Sequence, residues 1–368
     1  MRTGDTETHT GRLEGLEALR GLAILLVIVE HALPSTFGPG IVGVVMFFTL
    51  SGYLITGIIS TETERRGALR FRRFYRNRVL RLYPALVVLL LGVVVEAFTL
   101  GRTQVSDLPR TLLVGLSYTG DLPFRHGSPA IGHLWTLATE EQFYLVWPLV
   151  LTAALRRGTV RRTLVASAAL VMLVCGASLW LVAPRWERVY TLPTSWAVAI
   201  VVGAAAYFGR HQVARRLPAR GSRGAKVATG AALTVLLAVS VVPHLKTLLV
   251  AYLLAGPAIA VATAVLVHYA AGWVTLPSPR LRPLLWLGTI SYAAYLWNYA
   301  IAIWLHPAHN PVLLAVASPP LTVAAATASW FLVERPFRRY RARLEQRERE
   351  RAAQSREPEL VGATAPVR

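Results

Sequence analysis

Cysteine is almost absent from this chain: Cys175 is the only one in 368 residues, and it lies inside an apolar run. No intrachain disulfide is possible, and the thiol reads as a small buried hydrophobe. Charge is scarce as well. Only 16% of residues are charged while 54% are hydrophobic, a balance that excludes an ordinary soluble domain. Acidic residues are the scarcer sign, 19 against 39 Lys and Arg, for a formal net charge of +20. The arginines fall between apolar runs, where the positive-inside rule accounts for them without nucleic acid as a partner. No small-residue cleavage site follows the first apolar run, and the stretch before it, MRTGDTETHTGRLEG, is not notably basic. That run is expected to be a permanent helix rather than a signal peptide. No internal repeat is visible, which argues against an inverted-repeat transporter.

What the chain has instead is a succession of apolar segments, at about 17–33, 41–60, 82–100, 141–156, 163–183, 191–209, 228–243, 247–269, 285–306 and 312–333. Most approach the ~20 residues that cross ~30 Å of hydrocarbon as a helix, about twice the length of a barrel strand. The expected fold is all-α: a polytopic transmembrane helical bundle of about ten spans, forming one domain over residues 1–340. Basic connections alternate with poorly basic ones. TETERRGALRFRRFYRNRVLR, RRGTVRR, RHQVARRLPARGSRGAK and PRLR lie on one side, and PSTFGPG, PRWER, PHLK and PAHNP on the other. The alternation places both termini in the cytoplasm of a multi-pass plasma-membrane protein. Residues 341–368 read as a cytoplasmic polar tail, helical at first and then largely disordered. The longest outer connection, 101–140, contains TLLVGLSYTG, too short to span and expected to be re-entrant or interfacial.

Polar residues inside the runs are the candidates for function, since a charge near the bilayer centre costs roughly 2.5–3.5 kcal/mol. In LRGLAILLVIVEHAL, Arg20 and His31 are eleven positions apart. Eleven steps of about 100° come within about 20° of three full turns, so both lie on one helical face, ~16 Å apart along the axis. Glu30 is rotated off that face and is expected to pair with another helix or to point toward the outer headgroups. In MFFTLSGYLITG, Ser51 and Gly52 allow another backbone to approach, and Ser51 is a nucleophile only if a base lies within reach.

Further on, RFYRNRVLRLYPAL puts Arg78 and Arg81 three apart just before Pro84. Their planar guanidinium groups suit the phosphates of a cytoplasmic ligand, while the other arginines nearby suit anionic lipid headgroups. In HLWTLATEEQFYLVWP, residues 133–148, His133, Trp135 and Glu140 can converge where an outer connection enters the bilayer, with Tyr144 one turn beyond Glu140. TISYAAYLWNYAIAIW carries Ser291, Tyr292, Tyr295, Trp297 and Asn298, an interhelical polar seam or a substrate contact.

Taken together these stretches resemble acyltransferase family 3 of integral membrane proteins. Arg20 and His31 match an arginine and a histidine with ten residues between them in the first helix of that family. FFTLSGYLI, RVLRLYP and WTLATEEQFY follow in the family's order, then ISYAAYLW and VERPFRR. The resemblance covers about residues 12 to 340. It implies transfer of an acyl group, commonly acetyl, from cytoplasmic acyl-CoA to a hydroxyl of a sugar-containing acceptor, with no metal and no permanently bound cofactor. It further implies His31 as general base, with Glu140 and Arg20 beside it in catalysis, and Arg78 and Arg81 as binders of the donor's phosphates. Substrate contacts are expected from His133, Trp135, Tyr144, Ser51 and Asn298. The implied acceptor is an envelope glycan or a secreted macrolide-like metabolite.

Two departures bear on the acceptor. Asn298 stands where many members have histidine, and VYTLPTSWAVAIVVG lacks the arginine or aspartate that many carry after the fifth helix. The hydrolase-like domain that often follows in such proteins is not expected in this sequence. Two competing readings make different predictions. A transporter or flippase of a small polar or lipid-linked molecule moves substrate without consuming a thioester, and a membrane scaffold loses only stability when Arg20 and His31 are replaced.

Overall fold

The structure, a computed structural model, describes residues 13–33, 38–122, 127–306 and 310–354. Every regular element among them is helical. In chain order these are α1 (Glu14–Ala32), α2 (Pro39–Arg66), α3 (Phe71–Thr99), α4 (Leu108–Ser117), α5 (Trp135–Arg157), α6 (Val160–Val182), α7 (Pro193–Trp196) and α8 (Val198–Phe208). They are followed by α9 (Arg210–Arg216), α10 (Arg223–Ser240), α11 (Gly256–Ala270), α12 (Arg282–Thr289), α13 (Ser291–Leu305), α14 (Pro311–Ser329) and α15 (Arg335–Gln354). Six helices are long and apolar enough to cross a membrane, or seven if the pair bent by 77° after Phe208 counts as one span. The expected segments around α1, α5 and α12–α13 fall outside that set. α1 and α5 carry Arg20, Glu30, Glu140 and Glu141, and α12–α13 is broken at Ile290.

Helix ends differ from the expected boundaries on the arginine-rich side. α2 runs on to Arg66 and α3 begins at Phe71, so most of the basic connection is helical and only residues 67–70 turn. Arginine is a good helix former, and a side chain that reaches the headgroup lets the helix project beyond the hydrocarbon. Pro84 is accommodated within α3. The polar tail begins as the expected helix, α15, continuous through a π-helical turn (Trp330–Glu334) with α14. The expected disordered end of the tail, 355–368, lies outside the described residues.

TLLVGLSYTG folds as α4 and the turn that follows it. α4 runs back along α3, with Gly115 against Leu90 and the Tyr83 hydroxyl donating to the Leu116 carbonyl (3.0 Å). The segment then turns at Tyr118, which adopts the left-handed conformation at φ 50°. A buried cluster fixes the outer end of this loop. Glu96 accepts from the backbone N–H groups of Arg102 and Thr103 and from the Thr103 hydroxyl, whose oxygen is 2.7 Å from that of Ser128.

The centre of the bundle is held by backbone contacts that only glycine permits. A Cβ at Gly52 of α2 would lie 1.9 Å from the Ile200 carbonyl oxygen of α8, and one at Gly203 of α8 would lie 2.0 Å from that of Thr49. The closeness expected at Ser51–Gly52 is thus realised against α8. Gly52→Ala is expected to cost about 1–3 kcal/mol through overpacking, read as a lower thermal unfolding midpoint in detergent; an unchanged midpoint would contradict this packing. The same device joins α1 to α12, where Gly21 faces the Leu284 carbonyl and Gly288 that of Glu17. Glu30 is held on the opposite side from the arginines. It accepts from the Gly40 N–H at the start of α2 and from Lys246 Nζ, both at 2.5 Å, as the expectation of a partner on another helix required.

Candidate active site

Two polar groups lie across the middle of the bundle, and the first lines a cavity between α1, α2, α3, α5 and α13. Arg20, Ser51, Arg78, Arg81, Glu140 and Tyr144 all contribute to its wall. The sequence spacing explains part of this. Arg78 and Arg81, three apart, share a face of α3, and Glu140 and Tyr144, four apart, share a face of α5. The remainder comes from pairing between helices. Glu140 accepts hydrogen bonds from the hydroxyls of Ser51 on α2 and Tyr144. The Arg78 guanidinium lies 3.5 Å from the centroid of the Tyr144 ring, a cation–π contact that ties arginine, tyrosine and carboxylate together. Arg20 donates to Ser291 Oγ from Nε (3.2 Å) and Nη2 (3.1 Å), which fixes the start of α13 against α1.

Arg78 and Arg81 also line a second, adjoining cavity, where they are joined by Arg65, Arg66, Arg73 and Arg341. The two cavities form a funnel whose wide end is basic. α15 closes one side of it. Glu345 lies 3.4 Å from Arg73 and accepts from Asn77 Nδ2 at 2.9 Å, while Glu348 pairs with Arg76.

The second polar group is built on two histidines. His31 Nδ1 is 2.5 Å from Asn298 Oδ1. Asn298 is fully buried, and its Nδ2 donates to Thr322 Oγ1 at 3.3 Å, which turns Oδ1 toward the histidine. An acceptor at that position demands the proton on Nδ1, so the lone pair of His31 is on Nε2, where a base needs it. Tyr299 packs edge-on against the His31 ring at 5.0 Å and against His133 at 5.1 Å. The His133 ring is buried, with the carbonyls of Ala130 and Leu296 as its polar surroundings. α13 therefore holds both ends of the polar face of α1: Ser291 takes Arg20, and Asn298 takes His31.

Tyr295 separates the two groups. It lines the first cavity, its ring lies 5.3 Å from that of His133, and its hydroxyl donates to the His133 carbonyl at 2.9 Å and meets Thr136 Oγ1 at 2.5 Å. Of the residues singled out in the sequence, Arg20, Ser51, Arg78, Arg81, Glu140, Tyr144, Ser291, Tyr292 and Tyr295 share the cavity, and His31, His133 and Asn298 form the cluster behind Tyr295. Trp135 joins neither. It is buried between Phe48 (6.5 Å) and Tyr190 (5.1 Å) as packing. The partner of Glu140 is Ser51 together with Tyr144, whereas the partner of His31 is Asn298, so the expected His31–Glu140 pairing is absent from the contacts of either residue.

Three further residues belong to the site and carried weaker sequence signals. Glu141 lines the cavity beside Glu140, a second carboxylate whose only mark is the EE doublet in ATEEQFY. Tyr118 reaches the cavity from the turn after α4, where no periodicity points to it. Glu334, in VERPFRR, is buried in the π-helical turn within electrostatic reach of Arg81, Arg20 and Arg338. Among the described residues, no group of His, Cys, Asp and Glu is arranged to hold a metal ion.

Comparison with known proteins agrees with this architecture. The family model described as an acyltransferase domain, that of acyltransferase family 3, matches residues 13–334. The chain belongs to this family of multi-span membrane acyltransferases. It is 30% identical over 358 residues to YrhL of Bacillus subtilis, covering 90% of this chain and 55% of that protein. It is 28% identical over 350 residues to the peptidoglycan O-acetyltransferase OatA of Listeria monocytogenes (88% and 55% covered), and 25% identical over 357 residues to the O-acetyltransferase OatA of Staphylococcus aureus (89% and 57%). The chain thus spans little more than half the length of these relatives. No solved structure gives a significant match.

Proposed function

We propose that the chain is a membrane O-acyltransferase that moves an acetyl group from cytoplasmic acetyl-CoA to a sugar hydroxyl. In this reading it crosses the membrane ten times, with both ends in the cytoplasm. The observation that carries the proposal is one path through the protein: a basic funnel narrows at Arg78 and Arg81 into the first cavity, which ends at Tyr295 against the histidine cluster. Coenzyme A matches that path. Its phosphates take charge-assisted, bidentate hydrogen bonds from arginine, and its arm, extended ~15–20 Å, carries the thioester inward from the arginines.

At the inner end, His31 Nε2 accepts the proton of the acceptor hydroxyl as its oxygen attacks the thioester carbonyl, and the tetrahedral intermediate then expels the thiolate. Asn298 holds the base in the required tautomer. Glu140 orients the Ser51 and Tyr144 hydroxyls toward the cavity and balances Arg78. The peptidoglycan O-acetyltransferase among its relatives supports a cell-wall glycan as acceptor, while Asn298 and VYTLPTSWAVAIVVG leave room for a secreted macrolide-like metabolite.

Free thiol released from acetyl-CoA by the protein in proteoliposomes tests the proposal. Acceptor-dependent release is expected, and movement of a substrate across the bilayer with no thioester consumed would favour a transporter. Asn298→Leu is expected to lower kcat by about 10–100-fold with little change in donor KM, because it leaves the His31 N–H buried without an acceptor. A KM effect alone would contradict the positioning role.

A further inference from the structure

A third cavity lies away from this path, and we propose that it binds one anionic phospholipid. The chain bends by 77° between α8 and α9, and the segment 217–222 then folds back so that Arg220 Nη2 donates to the His268 carbonyl of α11 at 2.8 Å. The result is a cleft bounded by α8, α9, the returning segment and α11. Its long walls are apolar and small, with Val202 and Ala205 on one side and Val261 and Val265 on the other. From Val261 to His268 this apolar stretch is ~10 Å long at 1.5 Å per residue, enough to seat the upper part of an acyl chain.

The rim of the cleft is cationic and polar. Arg210 and Arg220 stand there with Tyr53, which lies within electrostatic reach of both guanidinium groups. Arg210 donates to the Tyr207 carbonyl at 2.8 Å over the Tyr207 ring, as Arg220 donates to that of His268, so each arginine is held in place with further N–H groups for a phosphate. Among the described residues, no aspartate or glutamate lines this cleft, whereas the funnel carries Glu62 and Glu345 among its arginines. A slot of small apolar side chains beneath two positioned arginines, on the face that carries the chain's basic connections, complements a phosphodiester headgroup with its acyl chain alongside. General attraction of basic loops to the membrane surface needs no such slot. The inference is independent of the acyl-transfer reading.

The full chain reconstituted in nanodiscs of equal phosphatidylglycerol and phosphatidylethanolamine, then released for native mass spectrometry, tests it. One phosphatidylglycerol is expected to survive activation that strips the other lipids. Its occupancy should fall about fivefold with Arg210→Gln and again with Arg220→Gln. Val265→Trp, which fills the slot and keeps both arginines, should also remove it, while Arg156→Gln with Arg157→Gln should not. Equal retention of phosphatidylethanolamine, or a phosphatidylglycerol adduct unchanged in Val265→Trp, would overturn the proposal. So would displacement of the adduct by inorganic phosphate or coenzyme A, which would assign the cleft to a soluble phosphate ligand.

Discussion

Replacement of His31 by alanine is expected to lower the rate of acyl transfer by about 10²–10⁴-fold, the usual contribution of a positioned general base. Donor KM should stay near that of the native protein, because the arginines proposed to hold the donor, Arg78 and Arg81 of α3, lie in the cavity beside Arg20, away from His31. His31 is tied into the fold by Asn298, so alanine alone does not separate catalysis from structure. His31→Gln does. A glutamine amide can donate to Asn298 Oδ1 and preserve the contact, yet it cannot take a proton, so its rate should fall as far as that of alanine. Transfer at the native rate in either variant would remove His31 from the mechanism.

The second large effect is expected at the narrow end of the funnel. Arg78→Ala removes a guanidinium that lines both cavities, and the loss of a charged hydrogen bond to phosphate, about 1.5–3 kcal/mol, corresponds to a donor KM raised roughly 10–100-fold. Because Arg78 also rests on Tyr144, which in turn donates to Glu140, a smaller fall in kcat should accompany it. Arg78→Lys should recover little, since an ammonium neither forks to a phosphate nor stacks on the ring. Titration of initial rate against acetyl-CoA checks this, and an unchanged KM would place the donor's phosphates elsewhere.

How much of this was legible in the sequence depends on distance along the chain. Pairs on one helix were readable from spacing. Arg20 and His31 do share a face, Arg78 and Arg81 do line one cavity, and Tyr144 does reach Glu140 one turn back. Partners on different helices were not. Ser51 meets Glu140 across 89 residues, His31 meets Asn298 across 267 and Arg20 meets Ser291 across 271, and no local pattern encodes which helix faces which. Hydrophobicity also hides what function requires. α1 and α5 bear part-buried charges of the site, and for that reason they read as weaker spans than helices such as α6, which carries none of the site residues. α4 was visible as a run too short to cross, but the delivery of Tyr118 to the cavity follows from a turn at φ 50° that its composition does not announce.

Asn298 shows how a departure from a motif is read once its neighbours are known. In sequence it stood as a missing histidine. In the fold it is a fully buried amide whose orientation is set by Thr322, and it selects the tautomer of the histidine beside it.

The central claim, that a donor held by arginines at one end is used by a histidine at the other, is tested most directly in cells. Mass spectrometry of envelope glycans and secreted metabolites is compared between cells producing the native chain and cells producing His31→Ala at equal levels in the membrane. The account predicts a sugar-containing product heavier by one acetyl group in the first and only its unmodified form in the second. The same acetylated product at the same abundance in both would contradict it.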